Sequence, residues 1–360
     1  MSLPFFLPPI QVQEQGATEY MEKRRKKNES RQFVAMGSYG VIYKNPSNPK
    51  EVIKILSPDT DINVEIEKAD QMVQLTGDNR QSIQKIHITK NDVPYNALEH
   101  YRELNSLNTF MKNNQLIPAL LMPNLGIDLN EYLIKKPFDL PENVYLEQCY
   151  KLLRQTSILF KHGVSHGDLR SENITFDGNE MTIIDFGIFG TFEKVKEVYE
   201  KGIHKHVVPS WAPPEFLILR HKVNETNGYI NRLRERSPSY FSSISTDLGN
   251  IIRDSNDKNI EYIAKHNMKL VDLIPYLDNF GLGIALLEVL TVLYPYTNNL
   301  KILKNRKLLE KITHFEISKR MLPDQALIEM EKIRNMSGGR IRRIGKTRRV
   351  RKTRRTIKRV

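Results

Sequence analysis

The stretch His166-Gly167-Asp168-Leu169-Arg170-Ser171-Glu172-Asn173, followed by Ile183-Ile184-Asp185-Phe186-Gly187, carries two carboxylates and a carboxamide, Asp168, Asp185 and Asn173. Each short stretch adjoins a compact apolar run, and their separation fits a β-hairpin that brings them together. Groups of this kind orient a hydroxyl nucleophile and hold a divalent metal ion against a triphosphate. An acidic cluster is also compatible with an ordinary solvated loop, so the rest of the chain has to supply the other parts of such a site.

The net charge is concentrated at one end of the chain. The 360 residues include 55 Lys and Arg and 42 Asp and Glu, which gives a formal charge of +13. Residues 337–360 hold twelve of the basic residues and no acidic one, which leaves 43 bases and 42 acids, or +1, on the rest. With 39% hydrophobic and 27% charged residues, the chain has the composition of a soluble globular protein and is long enough for one large or two moderate domains.

The cysteine content and the apolar runs bear on location. Cys149 is the only cysteine in this sequence, so it forms no disulfide within the chain, and we expect an intracellular location in the cytoplasm or nucleus. Its place in a helical pattern predicts a packed apolar residue. The first ten residues lack the basic flank and unbroken apolar stretch of a signal peptide. The apolar run 280–293 contains Glu288 and is too short for a bilayer, which predicts a buried helix and no transmembrane segment.

The chain changes character near residues 122–126. Residues 1–30 contain prolines and a basic cluster, which predict an N-terminal extension. Residues 31–122 contain short β-type segments separated by Gly, Asn and Pro, with one helical pattern over 65–75, which predict a small sheet and a helix. Residues 123–335 are mainly helical in pattern, so the fold class is α+β with two lobes.

Two further segments stand apart in composition. Residues 220–269 are rich in Asn, Ser, Arg and Lys, which predicts an insertion that is partly helical or mobile. Residues 336–360 contain a Gly-Gly pair at 338–339 and continue with basic residues, which predict a disordered basic tail. The part over 340–360 can bind nucleic acid or an anionic surface non-specifically, since it has no aromatic residue for base stacking, or it can be a solvated tail.

The segment Ala35-Met36-Gly37-Ser38-Tyr39-Gly40-Val41 resembles the glycine-rich loop of the protein kinase superfamily, with Ala35 in place of the first glycine. The resemblance covers about residues 32–327, and it implies a kinase-like fold with a β-rich N-lobe and a helical C-lobe. It also implies ATP as phosphoryl donor and Mg²⁺ or Mn²⁺ as metal. The nucleotide-binding residues that it implies are Gly37, Ser38, Tyr39, Gly40, Val41, Lys54 and Met122.

Lys54 lies fourteen residues after Gly40, at the end of a β-branched strand. In the family, a lysine at this place neutralises the charge of the α- and β-phosphates and is positioned by a carboxylate. Glu65 and Glu67 both lie on the following helix and point in different directions, so only one can face Lys54. Glu65 matches the family pattern better, and we expect it to be the partner; Glu67 as partner, or both as surface charges, are the alternatives.

The resemblance assigns roles to the catalytic groups. Asp168 resembles the catalytic aspartate that accepts the proton of the attacking hydroxyl. Arg170 stands where serine/threonine kinases usually have lysine, and it is expected to contact the transferred phosphoryl group. Asn173 and Asp185 are the expected metal ligands, because Mg²⁺ prefers hard oxygen donors. His166 is predicted to brace the loop rather than to transfer protons.

Gly167 departs from the common pattern, since many protein kinases have an arginine there that pairs with a phosphorylated activation loop. We therefore expect activity that does not depend on that switch. The His-Gly-Asp form is also common in small-molecule kinases similar to the aminoglycoside and choline kinases, which are the main alternative. Thr191, Tyr199 and Ser210 lie in the activation segment, and each is either a phosphorylation site or a surface hydroxyl.

Three later features favour a protein substrate. Residues 209–215 resemble the end of a protein-substrate activation segment, and Asp278 to Gly283 resemble the start of the central helix of the family. Arg320 is a candidate partner for Glu215, with an exposed helix charge as the alternative. The catalytic-loop residues 169–172 favour serine or threonine over tyrosine as acceptor.

The resemblance thus implies an active protein serine/threonine kinase that acts on a protein substrate. A small-molecule kinase is one alternative, and a catalytically silent scaffold with a nucleic-acid-binding tail is another. Loss of Lys54, Asp168, Asn173 or Asp185 is the expected sign of such a scaffold, and the sequence has all four. The basic tail and the divergent motifs are similar to those of kinases from large nucleocytoplasmic DNA viruses, which predicts a viral protein in the host cell or the virion.

Overall fold

The computed structural model describes residues 33–37, 40–56, 61–89, 92–93, 116–137, 139–201, 209, 211–220, 223–244 and 248–336. The predicted α+β architecture with a β-rich N-lobe and a helical C-lobe is confirmed. The predicted N-terminal extension over 1–30, Ser38, Tyr39, Ser210 and the basic tail beyond residue 336 lie outside the described residues.

The N-lobe is a five-stranded antiparallel sheet with one helix. The strand order β1-β2-β3-β5-β4 places β3 at the centre of the sheet, between β2 and β5. Helix α1 begins after Asp61, whose side chain accepts from the Asn63 N–H, and ends at Gly77, which has a left-handed φ of 74°. The elements are β1 (Phe33–Gly37), β2 (Gly40–Lys44), β3 (Glu51–Leu56), α1 (Ile62–Thr76), β4 (Gln84–Ile88) and β5 (Ile117–Pro123).

The C-lobe contains a small three-stranded sheet of order β6-β8-β9, a two-stranded sheet of β7 and β10, and the larger set of helices. The short strands are β6 (Ile127–Asp128), β7 (Val164–Ser165), β8 (Ile174–Phe176), β9 (Met181–Ile183) and β10 (Gly190–Thr191). The helices are α2 (Leu129–Lys135), α3 (Glu142–Lys161), α4 (Phe192–Lys201), α5 (Glu215–Leu219), α6 (Thr226–Arg236), α7 (Pro238–Ile244), α8 (Leu248–His266), α9 (Leu270–Leu293), α10 (Leu300–Ile312) and α11 (Pro323–Arg334).

Helix α9 forms the centre of the C-lobe. The apolar run predicted a buried helix from residue 280, but the helix begins at Leu270, where the Asp272 carboxylate caps its start by accepting from the Lys269 N–H at 2.7 Å. The predicted buried helix is confirmed, but it is longer than the run 280–293: its 24 residues are long and apolar enough to cross a bilayer by length and composition. Most of its apolar window, 78%, is buried inside the fold, so this is weak evidence for a membrane span.

The segment 220–269 contains three helices, α6, α7 and α8, in its described part. Their apolar sides are buried in the C-lobe core through side chains that include Tyr229, Leu233, Phe241 and Ile252. The Glu288 carboxylate of α9 accepts from the Ser239 and Tyr240 N–H groups at 3.0 and 2.7 Å, which satisfies the start of α7. This segment is thus a packed part of the C-lobe.

Charged side chains connect the two lobes behind β5. Arg80, in the turn after α1, donates to Asp177 at 2.6 Å and contacts Glu180 in the β8–β9 turn. Lys151 of α3 lies 2.9 Å from Asp78, next to Arg80. We call these five residues the inter-lobe clasp. Single pairs of this exposure contribute at most about 1 kcal/mol, but the network joins the lobes at a second place besides the chain itself.

Gly281 allows α9 to approach the loop 166–173. A Cβ atom at this position would overlap the Leu169 carbonyl oxygen and would lie 3.4 Å from the Trp211 Cβ. The overlap is with backbone, so no side-chain rotation can relieve it. The loop that carries Asp168 therefore rests directly on the core helix.

Gly281→Ala is expected to lower the free energy of unfolding by about 1–3 kcal/mol, because the extra methyl group forces α9 and the loop apart. Gly249→Ala in α8 is the matched control, since its new Cβ meets only the flexible Arg253 side chain at 3.5 Å. That control should be neutral or stabilising by up to about 1 kcal/mol. Urea unfolding followed by circular dichroism measures both, and equal effects of the two substitutions would contradict the close approach.

Candidate active site

A cavity of about 460 Å³ lies between the lobes. This volume is within the range of small-molecule sites, about 300–1,000 Å³. Strands β1–β3 supply one wall, and the catalytic loop with β9 and the following residues supplies the other. The predicted site residues that line it are Gly40, Lys54, Glu65, Met122, Arg170, Asn173 and Asp185.

A buried ion pair fixes the lysine of this cavity. The Lys54 Nζ donates to both carboxylate oxygens of Glu65, at 3.2 and 2.9 Å, and each residue is 8% exposed. Glu67 is exposed on another side of α1. The pair joins the central strand to the only α-helix in the described part of the N-lobe, so it sets the distance between β3 and α1.

Strand alternation corrects one predicted nucleotide-binding residue. Val41 is fully buried on the other face of the sheet, in a cluster with Tyr43 and Ile55, whereas Ile42 lines the cavity. Successive side chains of a strand point to opposite faces, so Val41 and Ile42 cannot both reach the cavity. Gly37 and Gly40 face each other across the β1–β2 hairpin, and a Cβ at Gly40 would overlap the Ile55 carbonyl oxygen.

The linker 123–126 connects the lobes along one side of the cavity. Pro123 has no N–H, the Asn124 N–H donates to the Lys50 carbonyl at 2.7 Å, and the Gly126 N–H donates to the Asn124 side chain at 3.3 Å. The Leu125 N–H has no acceptor among the described residues. Met122, directly before the linker, pairs with Val52 of β3.

Asp168 and Asn173 are joined by hydrogen bonds in the catalytic loop. The Asn173 Nδ2 donates to the backbone oxygen of Asp168 at 2.7 Å and to its Oδ2 at 3.0 Å. Burial raises the pKa of Asp168 to about 7, against the opposing positive charge of Arg170, and the Asp185 carboxylate adds to the rise. A carboxyl group with a pKa near neutrality is suited to accept a proton from a hydroxyl group.

Arg170 is held beside Asp168 by an aromatic ring. Its Nε lies 3.4 Å from the Asp168 Oδ1, and its guanidinium carbon lies 4.4 Å from the centre of the Trp211 ring. The Trp211 Nε1 donates to the Tyr199 hydroxyl at 3.3 Å, and that hydroxyl donates to the Gly167 carbonyl at 2.6 Å. Of the hydroxyl residues predicted in the activation segment, Tyr199 is fully buried and Thr191 is exposed.

Asp185 and its neighbours are held in place from both lobes. Asp185 has a left-handed φ of 64°, and its carboxylate accepts from the Gly187 N–H at 3.3 Å. Lys68 of α1 donates to the Gly187 carbonyl at 2.6 Å, and burial lowers the pKa of this lysine. Phe186 is buried edge-on against His166, with ring centres 5.7 Å apart. The orientation of Asp185 therefore depends on the position of α1.

His166 and Gly167 belong to the support of the loop. The His166 Nδ1 accepts from the Asp168 N–H at 3.3 Å, so its Nε2, 3.0 Å from the Ile184 carbonyl, carries the proton and donates. Burial lowers the pKa of His166, which keeps the ring neutral. Gly167 has a φ of 79°, and a Cβ there would lie 2.6 Å from the Ile188 side chain, so no arginine fits this position without a rearrangement.

Oxygen donors for a metal ion are present in the cavity wall. The described residues contain no cluster of three or more His, Cys, Asp and Glu side chains. Asn173 uses its amide nitrogen for Asp168, which leaves its amide oxygen as a ligand, and Asp185 lines the same cavity. Two hard oxygen donors suit Mg²⁺ when phosphate oxygens and waters supply the other positions.

Glu215 and Arg320 form a fully buried pair. The Arg320 guanidinium donates to both oxygens of Glu215 in a two-pronged arrangement, and neither side chain is exposed. Its Nε also donates to the His314 carbonyl at 2.8 Å. The pair connects Glu215, at the start of α5, to Arg320, which lies shortly before α11. Because both side chains are fully buried, the alternative of an exposed Arg320 is wrong.

Several residues of the cavity were not identified in the sequence. Ile42 and Val52 follow from strand alternation once Lys54 is placed on the cavity face. Leu125 was inside a recognised linker without an assigned role. Arg236 also lines the cavity, and nothing in the sequence signals this, because it reaches the cavity through the packing of α6.

Comparison with known proteins agrees with this geometry. The model of the family "Protein tyrosine and serine/threonine kinase" matches residues 30–227. A probable serine/threonine-protein kinase, FPV226 of Fowlpox virus (strain NVSL), is 33% identical over 87 residues, which are 23% of this chain and 28% of that protein. The serine/threonine-protein kinase ppk31 of Schizosaccharomyces pombe is 27% identical over 145 residues, 38% of this chain and 14% of that protein. The matched part thus spans less than a third of either relative.

Glu215→Gln is expected to lower the free energy of unfolding by about 3–5 kcal/mol, because it leaves the buried Arg320 charge without its carboxylate. The matched control is Glu329→Gln, which breaks the exposed pair with Lys332 and should cost at most about 1 kcal/mol. Chemical denaturation of both variants gives the two values. A cost for Glu215→Gln no larger than that of the control would argue against a buried pair.

Proposed function

The chain belongs to the protein tyrosine and serine/threonine kinase family, and from this premise we propose that it transfers the γ-phosphoryl group of ATP to a serine or threonine hydroxyl of a protein substrate. The observation that carries the proposal is the convergence of Lys54, Glu65, Asn173 and Asp185 on one cavity, with Asp168 hydrogen-bonded to Asn173. The two serine/threonine kinases among its relatives support the acceptor type.

The linker suits the adenine ring of ATP. An adenine edge offers a ring nitrogen that accepts and an amino group that donates. The Leu125 N–H is available to donate to the ring nitrogen, and the Pro123 carbonyl is available to accept from the amino group. Ile42, Val52 and Met122 supply apolar contacts to the ring. Lys54, held by Glu65, then lies deeper in the cavity, where its ammonium can neutralise phosphate charge.

The catalytic loop supplies the chemistry at the acceptor. Asp168 orients the attacking hydroxyl and accepts its proton as the bond to phosphorus forms. Arg170, fixed by Trp211, stabilises negative charge on the transferred group. Asn173 and Asp185 would hold Mg²⁺, which when bound bridges phosphate oxygens and offsets their charge.

Two features support activity without phosphorylation of the activation segment. Lys68 already connects α1 to Gly187, and Tyr199 already connects α4 to Gly167. Both contacts are made by groups that the unmodified chain contains. For Tyr199, burial of the hydroxyl also argues against its being a phosphorylation site.

The location and the source of the protein remain proposals. We propose an intracellular protein, because its one cysteine is buried and unpaired. The poxvirus relative supports a viral origin, with the host cell or the virion as the place of action.

Asp168→Asn and Lys54→Met are each expected to reduce ³²P transfer from ATP to casein, histone or the protein itself by at least about a hundredfold, since proton acceptance and phosphate neutralisation are lost. The controls are Asp70→Asn and Lys44→Met, which make the same changes at exposed positions and should retain activity. Circular dichroism has to show that all four variants are folded. Near-normal transfer by Asp168→Asn would overturn the assigned role, and phosphorylation of a metabolite with no protein labelled would favour a small-molecule kinase.

A further inference from the structure

The inserted segment reaches the acceptor side of the active site. Helix α6 ends at Arg236, which lines the nucleotide cavity together with Arg170 and Glu172. The same three residues also line a small second cavity, with Trp211 and Gly281. Arg236 therefore belongs to both cavities, and its side chain is 48% exposed.

The Glu172 carboxylate is already occupied within the protein. Its Oε1 forms an ion pair with Nη1 of Arg236, and its Oε2 accepts from the Ser171 hydroxyl at 3.0 Å. Both oxygens thus have a partner from the same chain. A basic side chain of a substrate would have to displace Arg236 to reach this carboxylate.

Arg236 keeps binding capacity beyond Glu172. A guanidinium group has five N–H donors, and the ion pair with Glu172 involves one of its nitrogens, while 48% of the side chain is exposed. Arg170 lines both cavities together with Arg236, and its Nε lies 3.4 Å from the Asp168 Oδ1. Burial lowers the pKa of Arg236, and the positive charge of Arg170 lowers it further. Two neighbouring guanidinium groups therefore line the same cavities, one paired with Asp168 and the other with Glu172.

We infer that Arg170 and Arg236 form an anion-binding subsite that selects protein substrates with an acidic side chain close to the acceptor hydroxyl. The inference rests on the proposed function and adds the substrate class. Planar guanidinium groups bind carboxylates and phosphates through paired hydrogen bonds, and a partly desolvated pair makes the interaction stronger than at an open surface. Because Arg236 also covers Glu172, one residue both attracts acidic substrates and excludes basic ones.

The test compares four peptides that share one serine and differ in the residues next to it. These residues are acidic (Asp and Glu) in the first peptide, phosphoserine in the second, Ala in the third, and basic (Lys and Arg) in the fourth. The wild-type protein should have kcat/KM at least about tenfold higher for acidic than for basic peptides, a difference of about 1.4 kcal/mol. The phosphoserine arm distinguishes a site for carboxylates from a site that prefers a phosphate group. Either preference over the Ala peptide supports the subsite.

Arg236→Ala should reverse this preference, because it removes the attracting charge and exposes the Glu172 carboxylate. The change should lie mainly in the KM for peptide, and the acidic-to-basic ratio of kcat/KM is compared within each variant, so that any effect of Arg236→Ala on ATP binding or on Asp168 cancels. Arg236→Ala combined with Glu172→Gln should lose the acidic preference without gaining the basic one. Arg234→Ala is the matched control, since Arg234 is an exposed arginine on the same helix and lines neither cavity.

A binding assay separates failure of the subsite from failure of the proposed function. Fluorescence anisotropy of the labelled peptides with Asp168→Asn needs no phosphoryl transfer, and it should show the same preference and the same reversal by Arg236→Ala. Selective binding without phosphorylation by the wild type would refute the kinase activity and keep the subsite. Phosphorylation with an unchanged acidic-to-basic ratio in Arg236→Ala, or a rise only in the KM for ATP, would overturn the subsite. If Arg236→Ala does not fold, Arg236→Gln takes its place in both assays.

Discussion

One buried carboxylate in the core helix holds the catalytic loop. The Asp278 side chain accepts from the His166 N–H at 2.7 Å and from the Gly167 N–H at 2.9 Å, and burial raises its pKa. These two donors precede Asp168, so the loop cannot move along α9 without leaving a buried carboxylate unsatisfied. The close approach at Gly281 fixes the same loop sterically. The position of every acceptor-side group therefore depends on how α9 packs in the C-lobe.

Buried charges in this protein mark the connections between its parts. Lys54 and Glu65 join the sheet to α1, and Glu215 and Arg320 join the segment after Trp211 to the end of the C-lobe core. An isolated buried charge is costly, so each pair forms only when both elements are in place. The pairs thus specify one arrangement of elements more than they add stability. Lys68 extends the first connection from α1 to Gly187.

The sequence identified site residues that lie in recognisable short motifs. It did not identify residues that reach the cavity only through tertiary packing. Lys54, Asp168, Asn173 and Asp185 lie in local motifs, so their residue types and intervals were enough to group them. Val41 was chosen in place of Ile42, although strand alternation from Lys54 would have given the right face. The start of α9 at Leu270 depends on a cap by the Asp272 carboxylate, which lies outside the apolar run. Arg236 reaches the cavity only through the packing of α6, which local sequence does not encode.

The inter-lobe clasp has a consequence for how the cleft moves. The lobes are connected covalently at the linker 123–126, and ionically where Arg80 meets Asp177 and Glu180. The hydrogen bond from Lys68 to the Gly187 carbonyl is a third attachment, so the lobes can swing only as far as the linker, the clasp and this contact together allow. Salt that screens the exposed ion pairs of the clasp would loosen one of these attachments and so widen the range over which the cleft can open.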